Sequence, residues 1–181
     1  GVSGKLFQSC LVMYDRASDT LWSQPWGMGV VGEQVNEELK RYPATRTTLG
    51  SWVKENPNTM VMTIDTGHDR DYFRYPYGTY YTNDDLIFPV RNSEKVQGQI
   101  KDIVSYYWEQ NSQTPVNEFS GIHLGIRWKD VEELGSLVKK IGDRTVAVRW
   151  DDELQSVRMY EENNELPASA AFSFVYPAFF Q

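Results

Sequence analysis

Lys95-Val96-Gln97-Gly98-Gln99-Ile100-Lys101-Asp102-Ile103-Val104-Ser105-Tyr106-Tyr107-Trp108-Glu109 is the stretch on which the reading of the fold turns. Val96, Ile100, Ile103, Val104, Tyr107 and Trp108 recur at helical spacing, which predicts an amphipathic helix from about Lys95 to Glu109. Toward the C-terminus a polar linker follows, Gln110 to Pro115. Gly121 to Trp128 reads as a strand, with Ile122, Leu124 and Ile126 on one face and His123 on the other. Asp130 is placed to cap a second helix, with Glu133 in the capping-box position. Val131, Leu134, Val138 and Ile141 give that helix its apolar face, and Gly142 ends it. Thr145 to Trp150 and Leu154 to Tyr160 form a hairpin turned by Asp151-Asp152, and residues 170–180 are strongly apolar.

Toward the N-terminus the pattern is one of strands. Lys5-Leu6-Phe7, Cys10 to Tyr14, Leu21-Trp22-Ser23 and Met28 to Val31 are short apolar runs separated by polar turns. Both faces of Cys10 to Tyr14 are apolar, which predicts an interior strand. Thr48 can cap a short helix through Ser51 to Lys54, stopped by Asn56-Pro57, and Met60 to Ile64 reads as a further strand. Asp65 to Asp85 mixes charges and aromatics without a period, the mark of a long loop that is functional or packed by its own side chains. The expected fold class is α+β: a mixed, mainly antiparallel sheet with two to three amphipathic helices, in a single domain over residues 1–181.

Composition limits the function classes. The chain has 181 residues, with 18 Lys+Arg against 25 Asp+Glu and a formal net charge of −7. That balance argues against sequence-independent binding to nucleic acid or to an anionic membrane, both of which need clustered positive charge. No apolar run approaches the length needed to span a bilayer. With 40% hydrophobic and 14% aromatic residues, intrinsic disorder is excluded as well. Cys10 is the only cysteine, so an intrachain disulfide and a Cys-pair metal site are both impossible, and its apolar setting marks it as a buried small hydrophobe.

Asp65, His68, Asp69 and Asp71 form the sharpest chemical cluster, just past the end of an expected strand. Asp and His suit a divalent cation, and that ion is the one cofactor the sequence suggests, with Asp65, His68 and Asp69 as its ligands. The spacing does not match a calcium loop, and the plainer reading is a solvated turn paired with Arg70 and Arg74. Nucleophilic hydrolysis has little support: there is no Gly-x-Ser-x-Gly elbow, and Ser3 lacks its flanking pattern. Trp22, Trp26, Tyr75, Tyr77, Tyr80 and Tyr81 lie in turn-rich segments, where they suit either sugar stacking or ordinary packing.

Three blocks in order, Gly1-Val2-Ser3-Gly4-Lys5-Leu6, Leu11-Val12-Met13-Tyr14-Asp15-Arg16 and Leu21-Trp22-Ser23-Gln24, resemble the bacterial and archaeal domain of unknown function 3179 family. Pro43-Ala44-Thr45 with Trp52 and Pro57 is similar to the family's next segment, as is Arg70-Asp71-Tyr72 with Pro76-Tyr77 and Tyr80. The ending Phe172 to Phe179 is similar to its terminus, with Ser173 and Tyr176 departing. The resemblance is close over residues 1 to about 90, loose from about 91 to 143, and returns weakly at the end of the hairpin and apolar tail, 144–181. It brings no activity with it. Family members carry a Cys-Pro-Leu-Cys-type segment upstream, so the resemblance implies that this chain covers the later part of a longer domain. It also implies an extracytoplasmic setting.

The leading expectation is an extracytoplasmic binding or interaction domain for a small ligand or a protein partner. Its expected surface joins the turn carrying Asp15, Arg16, Trp22, Ser23 and Gln24 to the loop carrying Arg70, Asp71, Tyr72, Tyr77 and Tyr80. The alternative is a metal-assisted or carboxylate hydrolase using Asp65, His68, Asp69 and Asp71.

Overall fold

Residues 1–111 and 119–181 are described by the computed structural model of the chain. Its N-terminal part is an antiparallel meander of β1 (Val2–Phe7), β2 (Cys10–Tyr14), β3 (Leu21–Ser23) and β4 (Met28–Val31), hydrogen-bonded in that order. β2 is thus the interior strand its two apolar faces predict. Gln8 and Ser9 between β1 and β2 sit at φ 51° and 57°, the left-handed pair that a two-residue hairpin turn demands. Ser9 Oγ donates to the Phe88 carbonyl at 2.7 Å and accepts from its N–H at 2.9 Å, which ties this turn to the segment that precedes the central sheet.

α1 (Leu49–Glu55) starts where Thr48 Oγ1 accepts from the Ser51 N–H at 3.1 Å and ends at Asn56, as its cap and stop residues predict. The strand expected over Met60 to Ile64 is absent. Met60 is 95% exposed, and no neighbouring strand offers the run a ladder. From Asn56 to Asp102 the chain holds no strand, only 3-10 turns at Tyr80–Thr82 and Ser93–Lys95.

The helix expected over Lys95 to Glu109 is a strand from Ile103 onward. β5 (Ile103–Gln110) pairs antiparallel with β6 (Gly121–Arg127), register Tyr107↔Leu124. The cause is burial on both faces. Tyr106 and Trp108 point into one core and Tyr107 into the other, so no period of two survives in the sequence. Gly98, at φ +80°, breaks the helical register between Val96 and Ile100. The part of the expected linker from residue 112 onward lies outside the described residues.

α2 (Trp128–Leu134) is shorter than its pattern suggests, with Asp130 in its first turn and Arg127 at the cap position. Gly135, at φ 70°, ends it, and the rest of the expected helix is β7 (Ser136–Ile141), paired with β8 (Arg144–Asp151). β9 (Ser156–Glu161) completes the expected hairpin. Asp151 Oδ1 accepts from the Glu153 and Leu154 N–H groups at its turn. β10 (Asn164–Glu165), β11 (Ser169–Phe172) and α3 (Val175–Phe180) follow.

These elements form three antiparallel sheets and three helices, an α+β fold. The sheet β11-β5-β6 is the central layer. On one face Tyr107 and Leu124 meet Val131 of α2 and Val146, Val148, Val157 and Met159 of the sheet β10-β9-β8-β7. On the other, Tyr106 and Trp108 meet Trp26, Met28 and the α3 residues Val175, Phe179 and Phe180. Each fully buried large side chain contributes about 1.5–3 kcal/mol, and the two core clusters meet on the two faces of β5. No helix among the described residues is long and apolar enough to cross a membrane.

Candidate functional site

The turn between β2 and β3 is built around Asp15. Its Oδ1 accepts from the N–H groups of Ala17 at 3.0 Å and Ser18 at 2.7 Å, and its Oδ2 accepts from Trp22 Nε1 at 2.8 Å. The Ser18 backbone N–H and the Trp22 indole hold the carboxyl down at about 2. Trp22 is 7% exposed and Ser23 is buried, so neither offers the ligand-facing surface expected of it. Asp15 and Trp22 frame the hairpin. Arg16 and Gln24 remain exposed beside it.

The loop behaves differently. Tyr75 rests on Tyr81 at 5.0 Å between centroids and on Tyr77 at 5.6 Å, and Tyr80 and Tyr81 pack edge-on against Phe172 of β11. Lys101 Nζ lies 3.7 Å over the Tyr80 ring and donates to the Tyr80 carbonyl and to Asn83 Oδ1. Together these contacts seat the segment on the β11 edge of the central sheet. Beyond the anchor, Phe73 is 88% and Tyr77 66% exposed, and Arg70 and Asp71 are exposed as well. The Tyr72 hydroxyl is bonded to Thr66 Oγ1, with its ring partly open to solvent. Among the described residues no hydrogen bond, ion pair or ring contact joins this loop to the Asp15–Gln24 turn. Of the residues expected on the two-part surface, Arg16, Gln24, Arg70, Asp71, Tyr72 and Tyr77 are exposed, whereas Trp22 and Ser23 are buried.

No group of three or more His, Cys, Asp and Glu side chains is placed to hold a metal ion among the described residues. Asp65, His68, Asp69 and Asp71 are all exposed, and Asp71 Oδ1 accepts from the Phe73 N–H within its own turn. Among the described residues no ion pair joins the cluster to Arg70 or Arg74.

The family model described as a protein of unknown function (DUF3179) matches residues 1–175. The chain belongs to the DUF3179 family. No curated protein and no solved structure matches it. The family match spans residues 91–143, where the resemblance is loosest.

Two polar arrangements of this DUF3179 chain escape sequence reasoning. Arg144 bonds Glu161 through Nε at 2.7 Å and Nη2 at 2.6 Å, and its Nη1 reaches Tyr107 and Glu109. Arg41 stacks on Trp108 at 4.1 Å to the guanidinium carbon, its Nη1 without a hydrogen-bond partner among the described residues. Burial works against the Glu109 charge, but the bonds from Tyr107 and Arg144 prevail and leave its carboxyl below the ordinary range. Arg144 likewise lowers Glu161. Sequence spacing could not pair residues on β5, β8 and β9, because the register that joins them is tertiary. The second arrangement is His123, whose Nδ1 shares a 2.7 Å hydrogen bond with the Tyr176 hydroxyl. Burial lowers the His123 imidazole and pushes the Tyr176 phenol up to about 12, so both are neutral at pH 7. No serine or cysteine among the described residues is hydrogen-bonded to His68 or His123.

Proposed function

We propose that this DUF3179 chain is an extracytoplasmic binding or interaction domain whose recognition surface is the aromatic segment of residues 60–81. The observation that carries the reading is the segment's division of labour. Tyr75, Tyr80 and Tyr81 anchor it to Phe172, while Met62, Phe73 and Tyr77 stay largely in solvent. Large apolar and aromatic side chains exposed in one segment suit a face that a partner covers, where Tyr, Met and Phe are enriched. Arg70 and Asp71 beside the rings supply polar contacts that can orient such a partner. The extracytoplasmic setting rests on the family resemblance alone. Metal-assisted hydrolysis at Asp65, His68, Asp69 and Asp71 has no comparable support.

Paired glycan and peptide arrays test the reading, probed with the wild-type chain and with the Phe73→Ser/Tyr77→Ser variant. The expected result is a ligand class retained by the wild type and lost by the variant, with the far-UV spectrum of the variant unchanged. Equal binding by both chains, or no binding by either, contradicts the proposal.

A further inference from the structure

At the opposite edge of the central sheet from the aromatic segment, a groove of about 520 Å³ opens between β6, β7, α2 and α3. We propose that this groove binds a small amphipathic carboxylate, an apolar body ending in one negative charge. Its volume lies within the roughly 300–1,000 Å³ of small-molecule sites. It wraps the β6 edge, with Val104 on the side that α3 covers and Leu124, Ile126 and Leu137 on the side that α2 covers.

One wall is the Tyr176 ring, lying directly on Gly125 of β6. A Cβ at position 125 would sit 2.6 Å from three ring atoms, so only glycine lets the ring take this place. The charged groups facing the groove are Lys95, Arg127, Lys139 and Asp130. Arg127 and Asp130 satisfy each other through two hydrogen bonds of 3.0 and 2.7 Å. Lys95 and Lys139 have no side-chain hydrogen bond or ion pair among the described residues. Two unpaired ammonium groups beside these apolar side chains select an anion with a hydrophobic tail over a cation or a fully polar ion. This inference does not depend on the aromatic segment.

The test uses decanoate as probe, with decylammonium as the charge-reversed control, followed by amide chemical shifts of the full chain. Saturable decanoate binding is expected, with the largest shifts at Gly125, Leu137 and Lys139 and with decylammonium binding weaker. The Lys95→Met/Lys139→Met variant, altered only at exposed side chains, is expected to keep its melting temperature and to bind decanoate about fivefold more weakly. The proposal is overturned if decanoate does not saturate, if decylammonium binds as well, or if the double variant binds like wild type. Shifts confined to residues 60–81 overturn it too, while leaving the aromatic recognition surface standing.

Discussion

Asp15 shows how much a single carboxylate can organise. It gathers two backbone N–H groups and the Trp22 indole, and these bonds hold its folded-state value at about 2. An unfolded aspartate titrates near about 3.9. A depressed carboxyl stabilises the fold fully above the unfolded value, and that contribution is lost as pH falls through the folded one. Glu109 and Glu161 are lowered as well and act in the same direction. Thermal melts should therefore show a falling melting temperature from about pH 4 toward pH 2, with a shallower slope in Asp15→Asn. A slope identical to wild type would mean that Asp15 is not bonded in this way. Trp22→Ala should cost about 3–5 kcal/mol in denaturant titration, the usual loss for a buried tryptophan. Cys10 is a third test at this scale. Burial pushes its thiol up to about 12, so in 5,5′-dithiobis(2-nitrobenzoate) assays at pH 8 the native chain should react at least about a hundredfold more slowly than the unfolded one.

Among the elements, the meander, α1 and the β8–β9 hairpin were legible because each is specified locally. Polar turns bound its strands, Thr48 caps α1, and Asp151 turns the hairpin. β5 was not legible, since a strand buried on both faces loses alternation, and Ile103, Val104, Tyr107 and Trp108 then mimic a helical stripe. The β-branched and aromatic content of Ile103 to Trp108 was the signal that outranks that periodicity. Past Gly135, pairing with β8 overrides the helical pattern and leaves Val138 exposed. The candidate site was half legible. The charged and aromatic loop was identifiable by composition, whereas the inward turn of Trp22 and Ser23 depends on which face of β3 meets the core. Gly125→Ala tests the β6 account. The new methyl meets the Tyr176 ring and should destabilise by about 1–3 kcal/mol, against no such clash at a strand glycine in open space.

At the scale of the molecule, two cores share one strand. Because Tyr106, Tyr107 and Trp108 serve both faces, the whole chain should unfold in a single cooperative transition. The two edges of the central sheet then carry different surfaces: β11 supports the aromatic segment and β6 borders the groove. This arrangement separates a protected frame from an exposed recognition segment, and stability should differ between them accordingly. Peptide-resolved hydrogen exchange of the native chain measures that separation directly. Amides of residues 103–110 should be among the slowest in the molecule, exchanging only on global unfolding, and those of residues 60–79 among the fastest. Protection of residues 60–79 equal to that of β5 would contradict the account, because Phe73, Tyr77 and their neighbours would then be packed within the fold and closed to any partner.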